Sequence, residues 1–169
     1  MSTKSQVASA SSVTDLLRED HAKVKGLFDQ FEGAKDNKAK QRIVEMALKD
    51  LEVHSTLEEE LIYPAIRAEI DEDDLMDEAL EEHHVVHGLI GELQQMKPGD
   101  ERYEAKFTVL AENVKHHIEE EESEMFTKAE DCDIDWDELH QQVLKRRDQL
   151  TTKISAPSKN GKDKASKRK

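Results

Sequence analysis

The chain has 169 residues and a formal charge of −14, with 38% charged and 36% hydrophobic side chains, which is about the length of one domain. No stretch approaches the roughly 18 consecutive apolar residues of a spanning helix, which excludes a membrane protein, and the acidic excess argues against a nucleic-acid binder. Cys132 has no partner for a disulfide, and the opening MSTKSQVASASSVT lacks the apolar core of a signal peptide, so a cytoplasmic location is expected.

Six Gly and three Pro are few, and Glu, Lys, Leu, Ala and Asp dominate, so long helices are favoured over strands. In chain order, Ser, Thr and Ala crowd a disordered lead over residues 1–12. Helices are then expected near 13–32, 37–69, 73–97 and 101–129. Breaks fall at Gly33–Asp36, Ile70–Asp74 and Pro98-Gly99-Asp100. Pro64 should kink the second helix, because it removes a backbone donor. A shorter helix near 136–152 starts after Asp135, a good N-cap, with Trp136 pinning it to the bundle. From residue 154 the chain becomes a disordered basic tail, where residues 159–169 hold six Lys/Arg against one Asp. Short loops make neighbouring helices antiparallel. The expected fold is therefore all-α: an up-down-up-down four-helix bundle with a short extra C-terminal helix over residues 13–153.

Eight histidines are the compositional oddity. Successive helical residues turn by about 100°, so each apolar stripe shows what else it carries. The second helix runs Ile43, Ala47, Leu51, His54, Glu58, then Leu61, Ile62 and Ala65, and Glu59 turns away. The fourth runs Phe107, Leu110, Val114, His117, Ile118, Glu121 and Met125. The third runs Leu75, Ala79, His83, Val86, Ile90 and Leu93, with His87 at its edge one turn from His83. In the first, Val13, Leu17, Val24, Phe28 and Phe31 define the stripe, and His21 falls in its margin. His84, His116 and His140 face outward, and Tyr63 and Phe126 are expected to pack the bundle end.

The two halves repeat. Asp20-His21-x-x-Val24-x-Gly26-Leu27 matches Glu82-His83-x-x-Val86-x-Gly88-Leu89 at an offset of 62. His54-x-x-x-Glu58-Glu59 matches His117-x-x-x-Glu121-Glu122 at an offset of 63. An ionised Glu in a dry core costs several kcal/mol unless a positive charge offsets it, and these stripes carry no Lys or Arg at that level. Four levelled His and two Glu arranged by a repeat point to bound metal. No thiolate is near, which disfavours a structural zinc cage, and imidazole-rich shells suit calcium and magnesium badly. Imidazole with carboxylate suits iron, manganese, copper, nickel or zinc.

Taken in order, Asp-His21, His54-x-x-x-Glu58-Glu-x-x-x-Tyr-Pro, Glu-His83-x-x-x-His87 and His117-x-x-x-Glu121-Glu resemble the hemerythrin-like, HHE cation-binding domain family over residues 13–130. The resemblance implies a non-haem di-iron centre, two iron ions bridged by carboxylate and an oxo or hydroxo group, that binds or reacts with dioxygen. By position, His83, His87 and His117 resemble the ligands of one iron, His21 and His54 those of the other, and Glu58 and Glu121 the bridging carboxylates. Oxygen-carrying hemerythrins have His-x-x-x-x-Asp in the fourth helix, where this chain has His117-x-x-x-Glu121. With His87 bound, one iron is filled and the other keeps a position for dioxygen; with His87 away, both stay open and peroxide or nitric oxide chemistry becomes easier.

The resemblance makes dioxygen binding for storage, delivery or sensing the leading expectation, with dioxygen or another small diatomic or peroxide as the ligand. The alternatives are a di-iron enzyme of oxidative or nitrosative stress defence, turning over peroxide or nitric oxide, and an iron storage or donor protein.

Overall fold

Asp36 caps the second helix, its carboxylate accepting from the backbone N–H groups of Lys38 and Ala39. Asp135 does the same for the last helix through the N–H of Glu138 at 3.0 Å. In the computed structural model, which describes residues 10–155, the elements are α1 (Ala10–Gly33), α2 (Asn37–Leu57), a π turn (Glu58–Ile62), α3 (Tyr63–Arg67), α4 (Asp73–Leu93), α5 (Tyr103–Glu120), a second π turn (Glu121–Met125), α6 (Phe126–Glu130) and α7 (Trp136–Ser155). No strand occurs among the described residues. α1 begins at Ala10, three residues before the expected start. The rest of the expected lead, and the basic tail from residue 156, lie outside the described residues.

α1 packs on α2 and α5, and α4 packs on α5 and α2, which closes the four-helix ring. α7 lies across α1, α2 and the first π turn, held by buried Leu139 and Val143 with Trp136 against the same cluster.

The second and fourth helices are not the continuous α-helices expected. Each contains a π turn, in which Tyr63 N–H reaches the carbonyl of Glu58 and Phe126 N–H that of Glu121. Proline does not explain both, since the second turn has Thr127 where the first has Pro64. A π turn admits one extra residue, so the stripe beyond Glu58 shifts by one position. Ile62, Tyr63 and Ile66 are buried, whereas the sequence pattern pointed to Leu61, Ile62 and Ala65.

Two apolar clusters fill the bundle. One contains Val24, Phe28, Phe31, Leu51, Ile90, Phe107 and Leu110, the other Leu17, Leu57, Ile66, Met76, Met125 and Phe126. Along every helix of the ring, the histidine falls where one cluster gives way to the other. The polar layer is thus sandwiched between two hydrocarbon layers.

Candidate metal centre

Six side chains on that level are buried: His21, His54, Glu58, His83, His117 and Glu121, none more than 8% exposed. α1, α2, α4 and α5 each supply one histidine, and the two glutamates open the two π turns. The Nε2 atoms of His21 and His54 are 3.1 Å apart, and those of His83 and His117 are 3.0 Å apart. Glu58 spans the pairs, with Oε1 at 3.0 Å from His54 Nε2 and Oε2 at 3.2 Å from His83 Nε2. Glu121 spans them with one oxygen, Oε2 lying 3.2 Å from His21 Nε2 and 3.4 Å from His117 Nε2.

The four rings are oriented from outside by carboxylates of neighbouring helices. His21 Nδ1 donates to Glu122 at 2.8 Å, His54 Nδ1 to Asp20 at 3.0 Å, His83 Nδ1 to Glu59 at 2.8 Å and His117 Nδ1 to Glu82 at 2.5 Å. These acids are the residues beside the buried donors in the repeat: Asp20 and Glu82 precede His21 and His83, and Glu59 and Glu122 follow Glu58 and Glu121. Glu59 therefore has a task that its outward helical phase concealed. The signal was present in the paired Asp/Glu-His and Glu-Glu dipeptides, but not in the phase of a single helix.

A neutral imidazole that donates from Nδ1 keeps a lone pair on Nε2. Here those lone pairs converge on one another and on carboxylate oxygens. Glu58 Oε1 and Glu121 Oε2 are fully buried and make no hydrogen bond. Protons or metal ions must offset this. In the metal-free protein, burial alone would lower the pKa of His54, but Glu58, the hydrogen-bonded Asp20 and Glu121 lift it to about 10. Burial likewise opposes the His117 imidazolium, which Glu121, Glu82 and Glu58 lift to about 9. Burial would raise Glu58, yet the adjoining imidazoles of His54 and His83 hold it well below the usual carboxylate range. The donor set of four imidazoles and two carboxylates fits a pair of borderline transition-metal cations, and His21, His54, Glu58 and Glu121 on one side and Glu58, His83 and His117 on the other lie close enough to hold them.

His87 is not brought to the cluster. Its side chain is 40% exposed and Nε2 meets Glu59 Oε1 at 3.2 Å, because Val86 and Ile90 take the inward places beyond His83. His84 and His116 are exposed as expected, and His140 is half-buried. Tyr63 does more than pack the bundle end. Its hydroxyl donates to Glu121 Oε1 at 2.5 Å and lies 3.3 Å from Nε2 of both His83 and His117. Burial and the two glutamates push its pKa well above the ordinary tyrosine value. A cavity of about 160 Å³ borders the four histidines, lined by aliphatic Val24, Leu51 and Val86 and by charged Asp20, Lys49 and Arg147.

A helical bundle with a buried layer of inward histidines and shared glutamates is a cation-binding bundle. The model of the hemerythrin HHE cation binding domain matches residues 12–129, and the chain belongs to this family. A DNA nickase from Nostoc sp. (strain PCC 7120 / SAG 25.82 / UTEX 2576) is 30% identical over 114 residues, which are 68% of this chain and 32% of that protein. The chain thus spans about a third of the length of this curated relative. The crystal structure of a hemerythrin HHE cation binding domain-containing protein from Mycobacterium kansasii superimposes with a TM-score of 0.68 at 24% identity, covering 82% of this chain and 86% of that one, and so shares the fold. No helix among the described residues is long and apolar enough to cross a membrane.

Proposed function

We propose that this chain is a non-haem di-iron protein that binds dioxygen for storage, delivery or sensing. His21 and His54 would hold one iron and His83 and His117 the other, with Glu58 and Glu121 shared between the two positions. The observation that carries this reading is the pair of buried glutamates, each shared between two histidine pairs whose Nε2 lone pairs face inward. When bound, a two-iron centre supplies the electrons that dioxygen or a related small oxidant takes up. The protein's own part is to orient the four imidazoles through Asp20, Glu59, Glu82 and Glu122, to hold a proton on Tyr63 Oη beside Glu121, and to flank the polar layer with the two apolar ones. The bordering cavity, lined by aliphatic side chains such as Val24 and Val86 and by charged ones such as Lys49 and Arg147, has room for a small ligand beside the histidines.

A second reading is favoured by one feature. With His87 at the surface, the histidines divide two and two, and no third imidazole fills either metal position. That arrangement suits turnover of peroxide or nitric oxide in stress defence. The nickase name of the longer relative is not carried to this chain, whose charge of −14 opposes a phosphate backbone.

Metal analysis of the purified protein is the first test, with two irons per chain expected; a single zinc would overturn the reading. The reduced iron form is then exposed to air. A visible absorption band that vanishes reversibly under vacuum supports the dioxygen carrier, and irreversible oxidation within the mixing time refutes it. Rapid multiple turnover of hydrogen peroxide would establish the enzymatic reading instead.

A further inference from the structure

The four outer carboxylates look alike in the repeat but differ in what lies behind them. Glu59 is backed by His87 and Glu82 by His116, at 3.2 and 3.6 Å. Asp20 is backed by a guanidinium: Arg147 Nη2 donates to Asp20 Oδ2 at 2.6 Å, and that same oxygen accepts the Nδ1 proton of His54 at 3.0 Å. Among the described residues, no Lys or Arg forms an ion pair with Glu59, Glu82 or Glu122. Arg147 belongs to α7, beyond the family-matched residues 12–129. Its place is set by buried Leu139 and Val143 and by the two-armed pairing of Arg146 with Glu60 at 2.6 and 2.9 Å. Arg147 also lines the cavity beside the histidines.

We propose that Arg147 is a positioning residue that makes the two halves of the metal centre unequal, rendering the His21/His54 half the weaker and more Lewis-acidic cation site. The proposal rests on reading the cluster as a two-metal site. An outer carboxylate strengthens an imidazole as a ligand by drawing on its Nδ1 proton. A guanidinium on the same oxygen takes up part of that carboxylate's charge, so His54 donates less to a cation than the other three rings. The fixed positive charge also opposes a nearby cation directly. Both effects have the same sign. Asp20 does not depend on Arg147 for its placement, because it sits on α1 immediately before the buried His21. The ion pair is about a quarter exposed on each side, so solvent screens it, and the expected effect is on the order of tenfold in affinity.

The test is anaerobic Fe(II) titration calorimetry of the full-length, metal-free protein. The wild type should take up two Fe(II) in unequal steps. Arg147→Met should tighten the weaker step by about tenfold and leave the stronger within about twofold. Arg147→Lys, which keeps the charge, should retain the wild-type pattern. Lys145→Met, which removes the same charge from an exposed position of the same helix, should change neither step. A readout free of metal is the ¹⁵N shift of the imidazole nitrogens, which in Arg147→Met should move for His54 and not for His83. Equal tightening of both steps, no change, or loosening of the weaker step would overturn the proposal while leaving the two-metal reading intact. Uptake of fewer than two Fe(II) by the wild type would overturn both.

Discussion

Glu59 and His83 meet across the bundle, the Glu59 carboxylate accepting the Nδ1 proton at 2.8 Å while its chain neighbour Glu58 meets Nε2 of the same ring at 3.2 Å. Two consecutive residues therefore grip one imidazole from both edges, and Glu121 and Glu122 do the same to His21 at 3.2 and 2.8 Å. Glu59→Ala should lower metal affinity by about 10- to 100-fold, measured by competition with a chelator. The helical circular dichroism should be unchanged, because Glu59 is 38% exposed. Unaltered affinity would show that the outer carboxylate does not support the ring.

His87→Ala should leave two metal ions per chain. In the structure this ring meets the outer side of Glu59 and the ring of His83 edge-on, without entering the buried layer. Metal analysis of the variant decides the point, and loss of either ion would place His87 among the ligands.

Tyr63→Phe should fold with little rearrangement, since Phe126 occupies the matching place in the other half. The cost is the hydrogen bond to Glu121 Oε1, a buried carboxylate oxygen. Urea denaturation of the metal-free variant should show a loss of about 1–3 kcal/mol. An unchanged midpoint would mean that another donor reaches Glu121.

Metal uptake should release protons. In the metal-free protein His54 and His117 are lifted from 6.5 to about 10 and about 9, so both carry a proton at pH 7, and ligation requires the lone pair. Calorimetry in buffers of different ionisation enthalpy should detect about two protons released per loaded centre at pH 7, falling toward none as pH rises through 9 and 10. These groups also stabilise the metal-free fold fully below pH 6.5, and that contribution is lost as pH rises through the same 9–10 range. Stability of the metal-free protein that rises across that range would contradict the assignment.

Much of the site was legible in the chain because helical phase is a local property. His54, His83, His117, Glu58 and Glu121 follow from 3.6-residue periodicity alone, and the offsets of 62 and 63 tie them into one arrangement. His21 sat only at the margin of its stripe, and the structure buries it to 2%. His87 sat at a similar margin and went the other way. Phase cannot separate two marginal residues; what separates them is the neighbour that claims the inward place, and for His87 that neighbour is Val86.

What the sequence by itself determined was the number of helices in the ring, the level at which each turns polar, and the five inward donors His54, Glu58, His83, His117 and Glu121, since a buried carboxylate on an apolar stripe has few physical justifications. Only the tertiary structure decided which outer acid serves which ring, because those hydrogen bonds join residues 24 to 101 positions apart and depend on which helices are neighbours. It also decided the π turns, whose extra residue places Tyr63 on the same face as Glu58, and the reach of Arg147 from α7 to Asp20. Register shifts and cross-helix pairings of this kind are settled by packing, which no single helix records.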